Sequence, residues 1–134
     1  MNYNKLSGKS LLMVDDEGVV VDVVREVVGP SMGVFDAAAD GVEALLKIMD
    51  ADYDFILLDI KMPRMDGIEL YAYIKTIKPY LLPRVIFITG DTETERTRNF
   101  IRETGCPSID KPFLIKELLD LMACRGTDAA QLSA

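Results

Sequence analysis

Phe55-Ile56-Leu57-Leu58-Asp59 decides the fold: four apolar residues in unbroken succession, stopped by an acid. A run this short that is apolar on both faces is the pattern of a strand buried from both sides in a parallel sheet. Ser10–Val14 and Val85–Ile88 carry the same pattern upstream and downstream. Between the runs the spacing turns helical. Val20, Val23, Val24 and Val27 recur at helical intervals despite the poor helix propensity of valine, and Gly29-Pro30 stops them. Gly33–Phe35 is a short strand signal. Asp40 with Glu43, and Asp66 with Glu69, form capping-box patterns ahead of periodic apolar residues: Val42, Leu45, Leu46 and Met49 in one case, Leu70, Ile74 and Ile77 in the other.

Pro79 and Pro83 bound the loop into the run ending at Ile88. Thr92–Glu103 is polar except for Phe100 and Ile101, which predicts a loosely held, exposed helix. A last strand near Ser108–Ile109 and an amphipathic helix marked by Leu114, Leu118, Leu121 and Met122 complete the series. Five strands alternating with five helices predict one α/β domain, doubly wound around an open parallel sheet whose sites lie at the carboxyl ends of the strands. The expected boundaries are an N-terminal extension over 1–8, the domain over 9–124 and a frayed tail over 125–134.

A chain of 134 residues that is 49% hydrophobic fits one such domain. Its net charge of −7 argues against a direct grip on nucleic acid, which draws its affinity from clustered Lys and Arg. No apolar run approaches the roughly 18 residues that would span a bilayer. Two cysteines in no metal-like spacing, and an N-terminus without a secretion signal, make a cytoplasmic location the expectation. The absence of histidine excludes Ser-His-Asp triads, His-ligated zinc and any phosphohistidine carried by this chain.

Asp15-Asp16-Glu17 follows the first strand and Asp59 ends the third, so the fold brings three or four acids to one edge. Carboxylates so close repel one another, and hard oxygen donors are most simply compensated by a divalent cation such as Mg2+. The blander reading of Asp15, Asp16 and Glu17 is that they merely open a helix. Asp59, directly behind a buried run, needs a partner for its charge. The fourth strand delivers Thr89-Gly90 and the fifth Lys111-Pro112. Taken singly, Thr89 is an ordinary strand-end hydroxyl and Lys111 a surface lysine; their joint placement is the signal. Gly8-Lys9-Ser10 lacks the upstream glycine of a phosphate loop, since Tyr3 stands there, and precedes a strand. A flavin phosphate would be repelled by the acids after the first strand.

From Lys9 to Met122 the residues as a set resemble the receiver domain of two-component response regulators. The resemblance rests on Leu-Met-Val-Asp15-Asp16-Glu17, Leu-Leu-Asp59-Ile-Lys-Met62-Pro63-Arg-Met-Asp66-Gly67, Ile-Thr89-Gly90 and Lys111-Pro112-Phe113. It implies a flavodoxin-like sheet of order 2-1-3-4-5. Asp59 would be the phospho-acceptor in a phosphorelay, with Mg2+ or Mn2+ as cofactor. Asp16 would ligate the metal directly, Asp15 mainly through water, and the carbonyl of Lys61 would be a further ligand. Thr89 and Lys111 would hold phosphoryl oxygens, and the Lys111-Pro112 peptide is expected to be cis. The implied partner is a histidine kinase or phosphotransfer domain. A fused kinase or output domain and a homodimer are both compatible with the resemblance.

Such a chain is a signalling domain that catalyses only its own phosphorylation and dephosphorylation. The alternative is a pseudo-receiver acting solely as a protein-interaction module. Thr89-Gly90-Asp91-Thr92 and Glu103-Thr104-Gly105 resemble receivers attached to hybrid sensor kinases. Ser108 departs from the pattern, because receivers usually carry an aromatic residue there that follows the threonine, so coupling to the surface around the fourth helix is expected to differ. Lys61 and Asp91 lie where the family sets its dephosphorylation rate.

Overall fold

The computed structural model describes residues 6–90 and 94–133, with side chains described through Arg125. Asp91 and Thr92 lie outside the described residues. The strands are β1 (Ser10–Val14), β2 (Val34–Ala38), β3 (Phe55–Asp59), β4 (Val85–Thr89) and β5 (Ser108–Asp110). They pair in parallel in the order β2-β1-β3-β4-β5, as expected. The helices are α1 (Gly18–Val28), α2 (Gly41–Asp50), α3 (Gly67–Ile77), α4 (Glu95–Thr104) and α5 (Ile115–Ser133).

Alternation along the central strands divides the core in two. Leu12, Val14, Ile56, Leu58, Val85 and Phe87 pack with Ala44 and Ile48 of α2 and Leu70 and Ile74 of α3. Their neighbours Leu11, Met13, Phe55, Leu57, Ile86 and Ile88 pack on the opposite face with α1 and α5. Burying each large aliphatic side chain contributes roughly 1.5–3 kcal/mol, enough to hold strands whose helices have indifferent propensity. The Asp66–Glu69 capping box closes in both directions: Asp66 Oδ1 accepts from Glu69 N at 2.8 Å and Glu69 Oε1 from Asp66 N at 3.3 Å. Asp40 Oδ1 likewise accepts from Glu43 N at 2.9 Å, but the Glu43 side chain reaches the N–H of Ala39.

The structure corrects the sequence reading in phase and in boundaries. In α1 the buried face is Val21, Val24 and Val28, while Val19, Val23 and Val27 form an exposed stripe. In α2 the sheet is met by Gly41, Ala44 and Ile48, and Val42, Leu46 and Met49 face outward. Both helices carry apolar residues on two sides, so periodicity alone had no unique solution. β2 runs on to Ala38, beyond the expected Gly33–Phe35, because five residues pair with β1 and Asp36 accepts the Tyr53 hydroxyl at 2.6 Å. Leu6 is fully buried in the α1/α5 core. α5 runs over Ile115–Ser133. As its polarity predicts, α4 buries only Thr97, with Phe100 packed edge-on to Tyr71 and Phe87.

Candidate functional site

Four chain segments converge where β1, β3, β4 and β5 end. Asp15 follows β1 and continues its ladder, its N–H donating to Ala38 O at 3.0 Å. Asp59 is the last residue of β3 and Thr89 the last of β4; they are 4% and 1% exposed. Lys111 follows β5, where its N–H donates to Thr89 O at 2.9 Å and its peptide with Pro112 is cis. Gly67 closes the loop behind Asp59 by donating its N–H to Ile60 O at 2.8 Å. A Cβ there would collide with the Asp59 carbonyl and the Ile60 Cα, so this approach requires glycine.

One ammonium holds the centre together. Lys111 Nζ lies 2.6 Å from Glu17 Oε1, 2.9 Å from Asp15 Oδ2 and 3.2 Å from Asp59 Oδ2. It donates hydrogen bonds to Glu17 and Asp59. Asp15 Oδ2 meets it only as an ion pair and is left without a hydrogen-bond donor, although the side chain is fully buried. Asp15 Oδ1 accepts from Glu17 N at 2.9 Å, a turn that folds residue 17 back over the site. A single positive charge thus faces three carboxylates, and the local balance is negative.

Burial first and the neighbouring Asp15 charge second push the Asp59 carboxyl up, Lys111 opposes both, and the carboxyl is left raised to about 7. For Lys111 burial acts downward, but its pairing with Glu17 and Asp15 and the charge of Asp59 outweigh it and hold the ammonium firmly protonated. Carboxyl oxygens of Asp15, Glu17 and Asp59 all lie within 4.8 Å of one another. Hard oxygen donors at this spacing, one of them a buried oxygen met only by the Lys111 ion pair, could hold a divalent cation.

Asp15, Asp59 and Lys111, named from sequence, are therefore gathered at one point, with Thr89 buried at the neighbouring strand end. Asp16 is not among them: it is exposed and lies outside the carboxylate cluster, because the chain turns after Asp15 and sends the next side chain outward. Lys61 is an exposed residue of the loop after β3. Glu17 was counted among the acids at the strand end but given no role, since sequence does not show that the Asp15 turn aims it back at Lys111.

Among the described residues, concavities lie beside the cluster. One, about 440 Å3, is mostly apolar and lined by Val19, Val20 and Val23 of α1 and by Lys111, Pro112 and Phe113. Another, about 330 Å3, lies between α4 and β5, with Thr89 and Thr97 deep within it and Ser108 and Arg102 at its mouth. A serine at 108 leaves this space open.

The family model for the response regulator receiver domain matches residues 11–123. The chain is 29% identical over 115 residues to the chemotaxis protein CheY of Halobacterium salinarum, covering 86% of this chain and 94% of that protein. It is 34% identical over 110 residues to the transcriptional regulatory protein ResD of Bacillus subtilis, covering 81% of this chain but 44% of ResD. Among solved structures, a CheY-like receiver domain protein from Methanospirillum hungatei superposes with a TM-score of 0.83 at 25% identity, covering 92% and 98% of the two chains. The response regulator TrrA of Thermotoga maritima, solved in complex with Mg2+-BeF, gives 0.72 at 28% identity and covers 87% and 98%.

Proposed function

The chain belongs to the response regulator receiver domain family, and on that premise we propose that Asp59 accepts a phosphoryl group from a phosphohistidine on a separate kinase or phosphotransfer protein. The observation that carries this reading is the buried Asp59 carboxylate held 3.2 Å from Lys111 at the meeting point of Asp15 and Glu17. Phosphoryl transfer through a loose transition state needs positioning and charge neutralisation more than covalent assistance. Asp59 supplies the attacking oxygen, and the phosphorus–nitrogen bond of the donor breaks as the acyl phosphate forms. Lys111 supplies a protonated ammonium to pair with a phosphoryl oxygen, and the Thr89 hydroxyl donates to another. A resident Mg2+ or Mn2+, held by Asp59, Asp15 and the carbonyl of Lys61, would neutralise the remaining negative charge.

The exposed Val19 and Val23, bordering the apolar concavity beside Lys111, suit a helical partner that brings its phosphohistidine to Asp59. No helix among the described residues is long and apolar enough to cross a membrane, in keeping with a proposed cytoplasmic role. Incubation with acetyl phosphate and Mg2+, followed by intact-mass spectrometry, tests the assignment. One phosphoryl adduct is expected on the wild type and none on Asp59→Asn or in excess EDTA. An equal adduct on Asp59→Asn refutes the acceptor. A folded wild type that takes no phosphoryl group from any donor supports a protein-interaction module instead.

A further inference from the structure

Glu17 stands apart from the other two acids in contact with Lys111. The Asp15 and Asp59 side chains are 0% and 6% exposed and anchored at strand ends, whereas that of Glu17 is 58% exposed. Its backbone is fixed by the turn onto Asp15 Oδ1, but its carboxylate reaches Lys111 from the solvent side at 2.6 Å, the shortest of the three contacts. Lys111 is thus clamped between two buried acids and one exposed outer acid.

A divalent cation and an ammonium cannot both sit against Asp15 Oδ2 and Asp59 Oδ2, because like charges a few ångströms apart repel strongly where water is scarce. The cation therefore requires Lys111 to withdraw. Of its three carboxylate partners, only Glu17 can follow it outward, since the other two belong to the buried strand ends. We infer that Glu17 is a positioning residue which receives the Lys111 ammonium when a divalent cation enters the pocket, keeping it at the mouth of the site. This rests on the metal reading proposed above and adds to it a residue that does not itself ligate the metal.

The sign follows from differential binding: only an interaction that differs between two states shifts their balance. Without the cation, Lys111 divides its charge among three carboxylates; with the cation, Glu17 is the one of the three left to it. Removing the Glu17 charge therefore destabilises the cation-bound state more, and the effect must pass through Lys111.

The test is a double-mutant cycle on the full chain with Mn2+ followed by electron paramagnetic resonance and Mg2+ by calorimetry. Glu17→Gln is expected to weaken cation binding by roughly threefold to tenfold, in the lower part of the range of couplings between residues in contact, and to leave it unchanged when Lys111 is already Met. Equal weakening in both backgrounds would make Glu17 a direct ligand and overturn the inference, as would no weakening in either. The 15Nζ resonance of Lys111 gives an independent readout that requires no Lys111 variant. After cation addition the hydrogen-bonded ammonium signal is expected to persist in the wild type and to vanish in Glu17→Gln; identical signals refute the role. A wild type that binds neither cation, or Asp59→Asn binding as tightly as the wild type, removes the metal reading itself.

Discussion

Asp59→Asn should make the metal-free protein more stable, and increasingly so as the pH rises. The Asp59 carboxyl is raised from 3.8 to about 7, first by burial and then by the Asp15 charge. Below about pH 4 the carboxyl is protonated in the folded and unfolded chains alike, and its contribution to stability is whole. Between about pH 4 and 7 the unfolded carboxyl has ionised while the folded one keeps its proton, so the native state binds more protons and stability falls as pH rises. Above about 7 the loss is complete. A displacement of this size corresponds to about 4 kcal/mol at most, and about 2–4 kcal/mol once the Lys111 ammonium relaxes toward the ionised form. Urea denaturation in EDTA at pH 5, 6, 7 and 8 reads it directly. The wild-type midpoint should drop across the series, that of Asp59→Asn should stay nearly level, and the two should differ by about 1–2 M urea at pH 8. A variant less stable than wild type at pH 8 would refute the reasoning, because it would mean that the Lys111 ion pair outweighs the burial of Asp59.

Adding Mg2+ at pH 8 should restore the wild type by about 2.7 kcal/mol at a hundredfold excess over the dissociation constant and leave Asp59→Asn almost unmoved, as thermal melts in both conditions would show. Gly67→Ala should lower stability by about 2–3 kcal/mol or more, since its Cβ meets the Asp59 backbone; chemical denaturation checks the loss. Ile48→Ala should cost about 2–5 kcal/mol, whereas Leu46→Ala, at a position 62% exposed, should change stability by less than about 0.5 kcal/mol. The reverse order in urea midpoints would show that α2 is rotated from the phase described.

What sequence disclosed followed from where each signal originates. A strand buried on both faces has a single solution, so Phe55–Asp59, Ser10–Val14 and Val85–Ile88 were legible, and with them the sheet edge at which Asp15, Asp59, Thr89 and Lys111 meet. A helix apolar on two sides has more than one solution. The valines of α1 and the leucines of α2 are dense enough to suggest several faces, and only the sheet decides which is covered. The exposed remainder, Val19, Val23 and Val27 on α1 and Val42, Leu46 and Met49 on α2, is what confused the reading.

The exchange of Asp16 for Glu17 in the cluster has a different origin. In an extended strand, successive side chains point to opposite sides, so of two adjacent acids only one can face a given site. Sequence motif alone cannot say where the strand geometry stops. Here it stops at Asp15, whose side chain accepts the N–H of Glu17 and so fixes a turn within two residues. Asp16 occupies the apex of that turn and meets solvent, while Glu17 returns to the Lys111 ammonium.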